Sequence, residues 1–310
     1  MSLAILCSGQ GTQHREMFAL TGEVAEASFL FARAANLLGG RDPRDMVRTD
    51  HGEALHTNRV AQILCSLQAL SAVTALRDAM PQRRIIAGYS VGEAAAWGVA
   101  GFFSMTDTLD LVARRAEVMS AASSPGDGLL FVRGLGREII ERVCARNGAA
   151  IAIVEPGVAF VVGAGGDALR SMAEQLRMMS ATVIQLPVAV ASHTPRLAGA
   201  SSVFREIVSQ VHVTAPPAGT RLLSGIDGLA VTHIEAGLDK LSAQISQTVQ
   251  WAACLRGCIE AGATAFLEVG PGHALSDMAS HAYPDVPARC LDDFKTLGGA
   301  QEWLARQASH

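Results

Sequence analysis

The stretch IIAGYSVGEAAAW, residues 85–97, sets the narrowest limits on what this chain can fold into. A β-branched run ends in Gly88, Ser90 stands between Gly88 and Gly92, and Ala94, Ala95 and Ala96 begin a helical stretch. At a sharp strand-to-helix turn the hydroxyl is pushed out of the backbone, and flanking glycines relieve the crowding on both sides. The small residues that follow let the helix pack close to the sheet. A turn of this kind needs a buried strand below it and a helix behind it, so the chain is expected to be α/β. GxSxG also arises by chance, and its weight here comes from the strand before it and the helix after it.

The flanking sequence supports that class. LAILCS is a short apolar run that stops at GQG, which suits a buried strand ending in a turn. Helical spacing follows through EVAEASFLFARAANLLGG, then a long apolar-rich helix at 61–79 that ends before Pro81, then the strand RIIAG, and a further helix from about Asp107 to Met119. Strands alternating with helices predict a parallel sheet covered on both faces.

The pattern changes after SSPGDG, residues 123–128. GLLFVR, AAIAIV, VAFVVG and TVIQLPV read as strands, and REIIERVCAR and DALRSMAEQLRMM as helices. That order is β-α-β-β-α-β, the ferredoxin-like arrangement. The expected organisation is a large domain at 1–127 and 190–310 with a small domain inserted at 128–189. The large domain resumes near Ala191, runs through the helical LAGASSVFREIVSQV and returns to its sheet with TAFLEVG.

Composition narrows the function. Hydrophobic residues make up 49% of 310 and charged residues 17%, which describes a packed core. The longest clean apolar run, AAIAIV at 149–154, is far below the roughly 18 residues of a membrane span, so no membrane association is expected. MSLAILCSGQG has no basic n-region and reads as a first buried strand, which predicts a cytoplasmic location. A net charge of −4 offers no basic surface for a phosphate backbone, so no nucleic acid partner is expected. Cys7, Cys65, Cys144, Cys254, Cys258 and Cys290 are scattered without a CxxC and read as reduced core residues; no metal is expected.

A serine hydroxyl is a poor nucleophile until a base takes its proton. His193 in VAVASHTPRL, His273 in GPGH, and His281 are the candidates, and position alone leaves the choice open. The loop at GQG is not a dinucleotide loop, because GxGxxG would need glycine where His14 stands.

SGQGTQ, GYSVGE, RRAEVM, ASH, QW and FLEVGPG occur in this order over nearly the whole chain. In that combination the sequence resembles the malonyl-CoA:acyl carrier protein transacylases. The resemblance implies an α/β-hydrolase-like large domain with a ferredoxin-like insert, Ser90 as nucleophile and His193 as base, which demotes His273. It implies that a backbone carbonyl, placed at Gln250 before Trp251, orients the base, so that no triad aspartate is needed. It implies an oxyanion hole from the amides of Gln10 and Val91. Donors of that kind are worth roughly 3 to 4 kcal/mol each.

Arg114 and Arg115 can be separated by geometry. At about 100° per residue, Arg115 borders the apolar face of its helix and Arg114 points away from it. Arg115 also matches the family arginine that grips the malonyl carboxylate. A planar fork suits a carboxylate, and a thioester without one would leave a partly buried guanidinium unpaired. The implied substrate is malonyl-CoA, the implied partner an acyl carrier protein bearing a phosphopantetheine-type arm, and no permanently bound cofactor is expected.

Three departures stand out. Tyr89 precedes the serine where fatty-acid-synthesis members usually carry histidine, Ala152 and Val154 stand where they usually place asparagines, and the segment before TNRVAQ is short. These features are more similar to the transacylase (epsilon) subunit of malonate decarboxylase, which would add the other decarboxylase subunits to the partners. The expectation is a ping-pong acyltransferase in that setting. The alternatives are a malonyl transacylase of fatty-acid or polyketide synthesis, a serine hydrolase or thioesterase on the same elbow, and a non-catalytic assembly component.

Overall fold

The structure, a computed structural model, describes residues 2–50 and 52–308; the ends of the expected large-domain ranges, residues 1, 309 and 310, lie outside it, as does residue 51. Nine strands are described: β1 (Leu3–Cys7), β2 (Arg84–Gly88), β3 (Gly128–Arg133), β4 (Ala150–Glu155), β5 (Ala159–Ala164), β6 (Thr182–Gln185), β7 (Thr220–Leu222), β8 (Ala265–Glu268) and β9 (Ala288–Cys290). They form two sheets. The larger runs β7-β2-β1-β8-β9 with every pair parallel. All five side chains of β1 are buried, as a central strand covered on both faces requires. The α/β-hydrolase-like class is thus realised as a parallel five-stranded sheet.

The helix Asn58–Ala75 is buried on every side from Ala61 to Thr74, so it runs through the interior and not over the surface. The reading of this helix through residue 79 is adjusted: it ends at Ala75, and Arg77–Ala79 form a separate 3₁₀ turn.

The smaller sheet is antiparallel in the order β4-β5-β3-β6, with the helices Arg137–Arg146 and Gly166–Met178 on one face. This is the ferredoxin-like order. Its strands divide by parity: Leu130, Val132, Phe160 and Val162 join the core beneath the two helices, whereas Leu129 and Val161 join the core of the large domain. The strand TVIQLPV is cut short at Gln185, because Pro187 has no N–H to give to a ladder. The short edge strands β7 and β9, three residues each, carry no alternation from which they could be read.

Beyond the shared core, the small sheet is joined to the large domain by a main-chain bridge. The Val249 amide donates to the Ala152 carbonyl at 2.9 Å, and the Val154 amide donates to the Val249 carbonyl at 2.9 Å. Ala152 is fully buried there.

Helix Val91–Val99 lies almost on top of β1. A methyl group at Gly92 would sit 2.0 Å from the Cys7 carbonyl oxygen, and one at Gly88 would sit 2.2 Å from the Glu93 nitrogen. Gly92→Ala is therefore expected to destabilise the protein by about 3 kcal/mol or more, at the upper end of overpacking costs. Denaturant melts of the two proteins measure this; a loss below about 1 kcal/mol would show that the contact is not close.

Candidate active site

Ser90 occupies the turn between β2 and the helix Val91–Val99 with φ 57° and ψ −119°, a left-handed conformation rare for a residue with a side chain. Such strain costs of order 1–3 kcal/mol and persists only where the surroundings enforce it. Here the enforcement is the close glycine contacts and the Tyr89 amide, which donates to the Cys7 carbonyl at 3.0 Å. The hydroxyl is aimed out of the turn.

Ser90 Oγ lies 2.8 Å from Nε2 of His193, across 103 residues of chain. His193 itself has φ 61° and is anchored by its amide, which donates to the Ile245 carbonyl at 2.8 Å. Nδ1 of the imidazole meets the Gln244 carbonyl at 2.5 Å. A carbonyl can only accept, so the ring proton sits on Nδ1 and Nε2 is left to accept from the serine hydroxyl.

The expected position of that carbonyl is corrected from Gln250 to Gln244. The Gln250 carbonyl accepts from the Cys254 amide at 3.0 Å and so begins the helix Trp251–Glu260. Gln244 instead caps the C-terminus of the helix Ile234–Ala243, where carbonyls have no intrahelical partner. That end of a helix carries partial negative charge, which favours an imidazolium beside it and takes over part of what a triad carboxylate supplies.

Every polar group of the Gln244 side chain is engaged. Its Nε2 donates to the Ser90 carbonyl at 2.9 Å and to Glu93 Oε2 at 2.6 Å, and its Oε1 accepts from Arg115 Nη2 at 3.0 Å. Arg115 is 1% exposed, so it lies within the apolar face it was expected to border, while Arg114 is exposed as expected. Its Nη1 donates to Gln62 Oε1 at 2.7 Å, and its buried Nε–H has no partner among the described residues. The guanidinium is thus held by two neutral amides. Burial lowers its pKa to about 10, partly offset by Glu93, so it stays charged at neutral pH. Burial pushes Glu93 up to about 7, against the opposing pull of the Gly225 amide, Gln244, Arg115 and Ser224.

Burial and the Arg115 charge hold His193 down at about 3, with the Gln244 carbonyl acting in the other direction. The ring is therefore neutral and able to accept a proton throughout the physiological range.

The Gln10 loop follows β1 and is pinned from three sides. Ser8 Oγ donates to Glu268 Oε1 at 2.6 Å, Thr12 Oγ1 donates to the Pro271 carbonyl at 2.7 Å, and the Gly11 amide donates to Gln13 Oε1 at 2.5 Å. Val91 is the first residue of its helix, so its amide has no i−4 carbonyl to serve. Amides in such positions are free to receive a developing oxyanion.

A cavity of about 220 Å³ opens beside the elbow, lined by the Ser8–Thr12 loop, Tyr89, Phe131, Glu155, Leu186 and Met278. Tyr89 donates to Glu155 Oε1 at 2.6 Å and packs edge-on against Trp251. Burial raises the Glu155 carboxyl, offset in part by this bond. His273 is not at the site; it lies against Cys290 and Asp293. His281 bonds its own helix at Asp277.

Sequence reasoning missed Gln244, Gln62 and Glu155. Gln62 had a partial signal, one of two amides, with Gln68, in a run of apolar helical residues, whereas Gln244 becomes visible only once the fold brings a helix end to His193.

A strained serine paired with a neutral, carbonyl-oriented histidine, close to a buried cation, is an arrangement suited to the transfer of acyl groups. The model of the acyl transferase domain matches residues 5–287. The chain is similar to the malonyl CoA-acyl carrier protein transacylase of Mycobacterium bovis, 32% identical with 93% of this chain and 96% of that protein covered. It is similar to the Haemophilus influenzae protein of the same name at 25%, with 97% and 98% covered. It superposes on the crystal structure of MCAT from Mycobacterium tuberculosis with TM-score 0.89 and 28% identity, covering 98% of this chain and all of that one. The chain belongs to the acyl transferase family, among the malonyl CoA-acyl carrier protein transacylases. No helix among the described residues is long and apolar enough to cross a membrane.

Gln244→Ala removes side-chain contacts to Arg115, Glu93 and Ser90 together and is expected to slow serine acylation roughly 10- to 100-fold, the scale of small misplacements in a reacting site. Gln250→Ala is expected to leave the rate within about twofold. Stopped-flow release of the thiol measures both, and equal rates for the two variants would show that the Gln244 side chain does not support the site.

For His193 the folded value lies below the ordinary 6.5, so keeping the ring neutral contributes stability that is complete above pH 6.5 and is lost as pH falls toward about 3. Nitrogen NMR of labelled histidine is expected to show this ring neutral at pH 5. Titration near 6.5 would contradict the burial argument.

Proposed function

We propose that this chain transfers malonyl from malonyl-CoA to the thiol of an acyl carrier protein through a malonyl-serine intermediate. The observation that carries the reading is Arg115, a charged guanidinium 1% exposed, with a free buried Nε–H, joined through Gln244 to the serine and histidine. A pre-formed buried cation favours an acyl group with its own carboxylate and disfavours one without.

As Ser90 Oγ attacks the thioester carbonyl, His193 Nε2 takes the hydroxyl proton. The amides of Gln10 and Val91 hold the oxyanion. When the tetrahedral intermediate collapses, the CoA sulfur leaves with the proton from the imidazolium, and malonyl remains on Ser90 with its carboxylate on Arg115. A carrier thiol then gives its proton to His193, attacks the ester and leaves as the malonyl thioester, which restores the serine. Water is disfavoured as acceptor because the cavity beside the elbow is lined mostly by apolar side chains.

A carrier of fatty-acid synthesis is the favoured acceptor. One further relative, a polyunsaturated fatty acid synthase chain of Thraustochytrium, contains a similar segment at 25% identity. The malonate decarboxylase setting is kept as the second reading on one observation, the Tyr89–Glu155 pair in the arm cavity together with Ala152 and Val154.

Mixing the protein with malonyl-CoA is expected to leave a persistent malonyl adduct on Ser90 in the intact mass, absent from Ser90→Ala; CoA release without adduct would indicate a hydrolase. Arg115→Ala is expected to lower malonyl transfer at least 100-fold while acetyl transfer falls less than tenfold. Equal losses would remove the carboxylate role. Transfer to a carrier with an ordinary phosphopantetheine arm is expected to exceed transfer to one with the longer dephospho-CoA-derived arm, and the opposite preference would restore the decarboxylase reading.

A further inference from the structure

Beyond the serine site, the C-terminal edge of the large sheet gathers a second set of reactive side chains. β9 ends at Cys290, and the chain turns at once into the 3₁₀ segment Leu291–Asp293. The turn is closed reciprocally: Cys290 Sγ accepts from the Asp293 amide, and Asp293 Oδ2 accepts from the Cys290 amide at 3.1 Å. His273, just before the helix Ala274–Ala282, places Nδ1 2.9 Å from that sulfur and 3.5 Å from Asp293 Oδ1.

We propose that Cys290, His273 and Asp293 form a binding site for a divalent, borderline-soft cation of the zinc class.

Two observations converge on it. The first is the donor set. One sulfur, one imidazole nitrogen and one carboxylate oxygen lie within 4.8 Å of one another, and a thiolate beside an imidazole selects zinc over magnesium or calcium. Tetrahedral zinc with its usual bond lengths places sulfur and nitrogen about 3.5 Å apart and nitrogen and oxygen about 3.3 Å apart. The Nδ1–Oδ1 separation already fits. The sulfur has to move by about 0.6 Å from its 2.9 Å contact.

The second is the surrounding shell. A backbone amide donating to sulfur supports a thiolate, and the Cys290 amide on Oδ2 turns Oδ1 of the same carboxylate toward His273. Arg289 also approaches Oδ2, at 3.7 Å, and not the oxygen nearer the imidazole.

Asp292 is already engaged, accepting from the Gly272 amide at 2.7 Å and lying 2.8 Å from His14 Nε2, so it acts as a supporting charge and not a ligand.

On binding, the Cys290 S–H bond breaks, its proton goes to solvent, and sulfur bonds the cation; His273 binds as neutral imidazole and Asp293 as carboxylate. The fourth position falls to water, because the His273 side chain is 55% exposed. Affinity therefore rises with pH. Bound there, the cation would clasp the loop after β8 to the end of β9, next to the Asp292–His14 link that reaches the segment carrying Gln10.

The test uses the full chain, stripped with a chelator and dialysed against ZnCl₂, with metal counted by atomic emission and Co²⁺ substituted as a spectroscopic probe. About one zinc per chain is expected, with a sulfur-to-cobalt charge-transfer band. Cys290→Ser should abolish the band, and both Cys290→Ser and His273→Ala should weaken zinc binding at least tenfold. Ser90→Ala and His193→Ala should keep the stoichiometry, which separates this site from the serine site. His273→Ala alters a half-exposed side chain and keeps the test decisive should Cys290→Ser fail to fold. No retained zinc, or zinc retained equally by wild type and His273→Ala, would overturn the proposal.

Discussion

The contact on which the site depends is the approach of helix Val91–Val99 to β1, so close that the Cys7 carbonyl leaves no space for a methyl at Gly92. That approach bends the chain sharply at Ser90 and holds its backbone in a conformation that is unfavourable in isolation. The energy comes from the sheet: β1 is buried along its whole length, and its neighbours β2 and β8 are in register with it. The serine is thus positioned by main-chain packing, with little demand on its own side chain.

Around this point the chemistry is arranged through an amide. Gln244 gives its main-chain carbonyl to His193, and its side chain reaches Arg115, Glu93 and the Ser90 carbonyl. Two ionisable groups and the base are thereby coupled in a region from which water is excluded, where electrostatic effects are strong. A neutral linker has an advantage over a carboxylate here. A second negative charge next to Glu93 would neutralise the guanidinium that a dicarboxylic acyl group needs.

Much of this is legible in the residues. The elbow, the parallel sheet and the ferredoxin-like insert follow from glycine placement and from the change in periodicity after residue 123. His193 and Arg115 follow from the resemblance, and the geometry brings both into the serine's network. The carbonyl partner of the base lies six residues from its expected position because a main-chain acceptor has no signature of its own. QW marks the start of a helix, whereas the carbonyl that matters is at the end of the one before. Spacing makes the cysteines look alike; all six are buried, yet among the described residues Cys290 alone has a histidine and a carboxylate converging on its sulfur, a juxtaposition created by β9 returning beside β8.

The main-chain bridge between the small sheet and Val249 lies five residues beyond Gln244. One end of that short run therefore sets the imidazole, and the other is bonded into β4. Chain length here acts as a gauge. An inserted or deleted residue would have to be absorbed either by the tautomer-fixing carbonyl or by the register of the second sheet, so this run can vary in composition far more freely than in length.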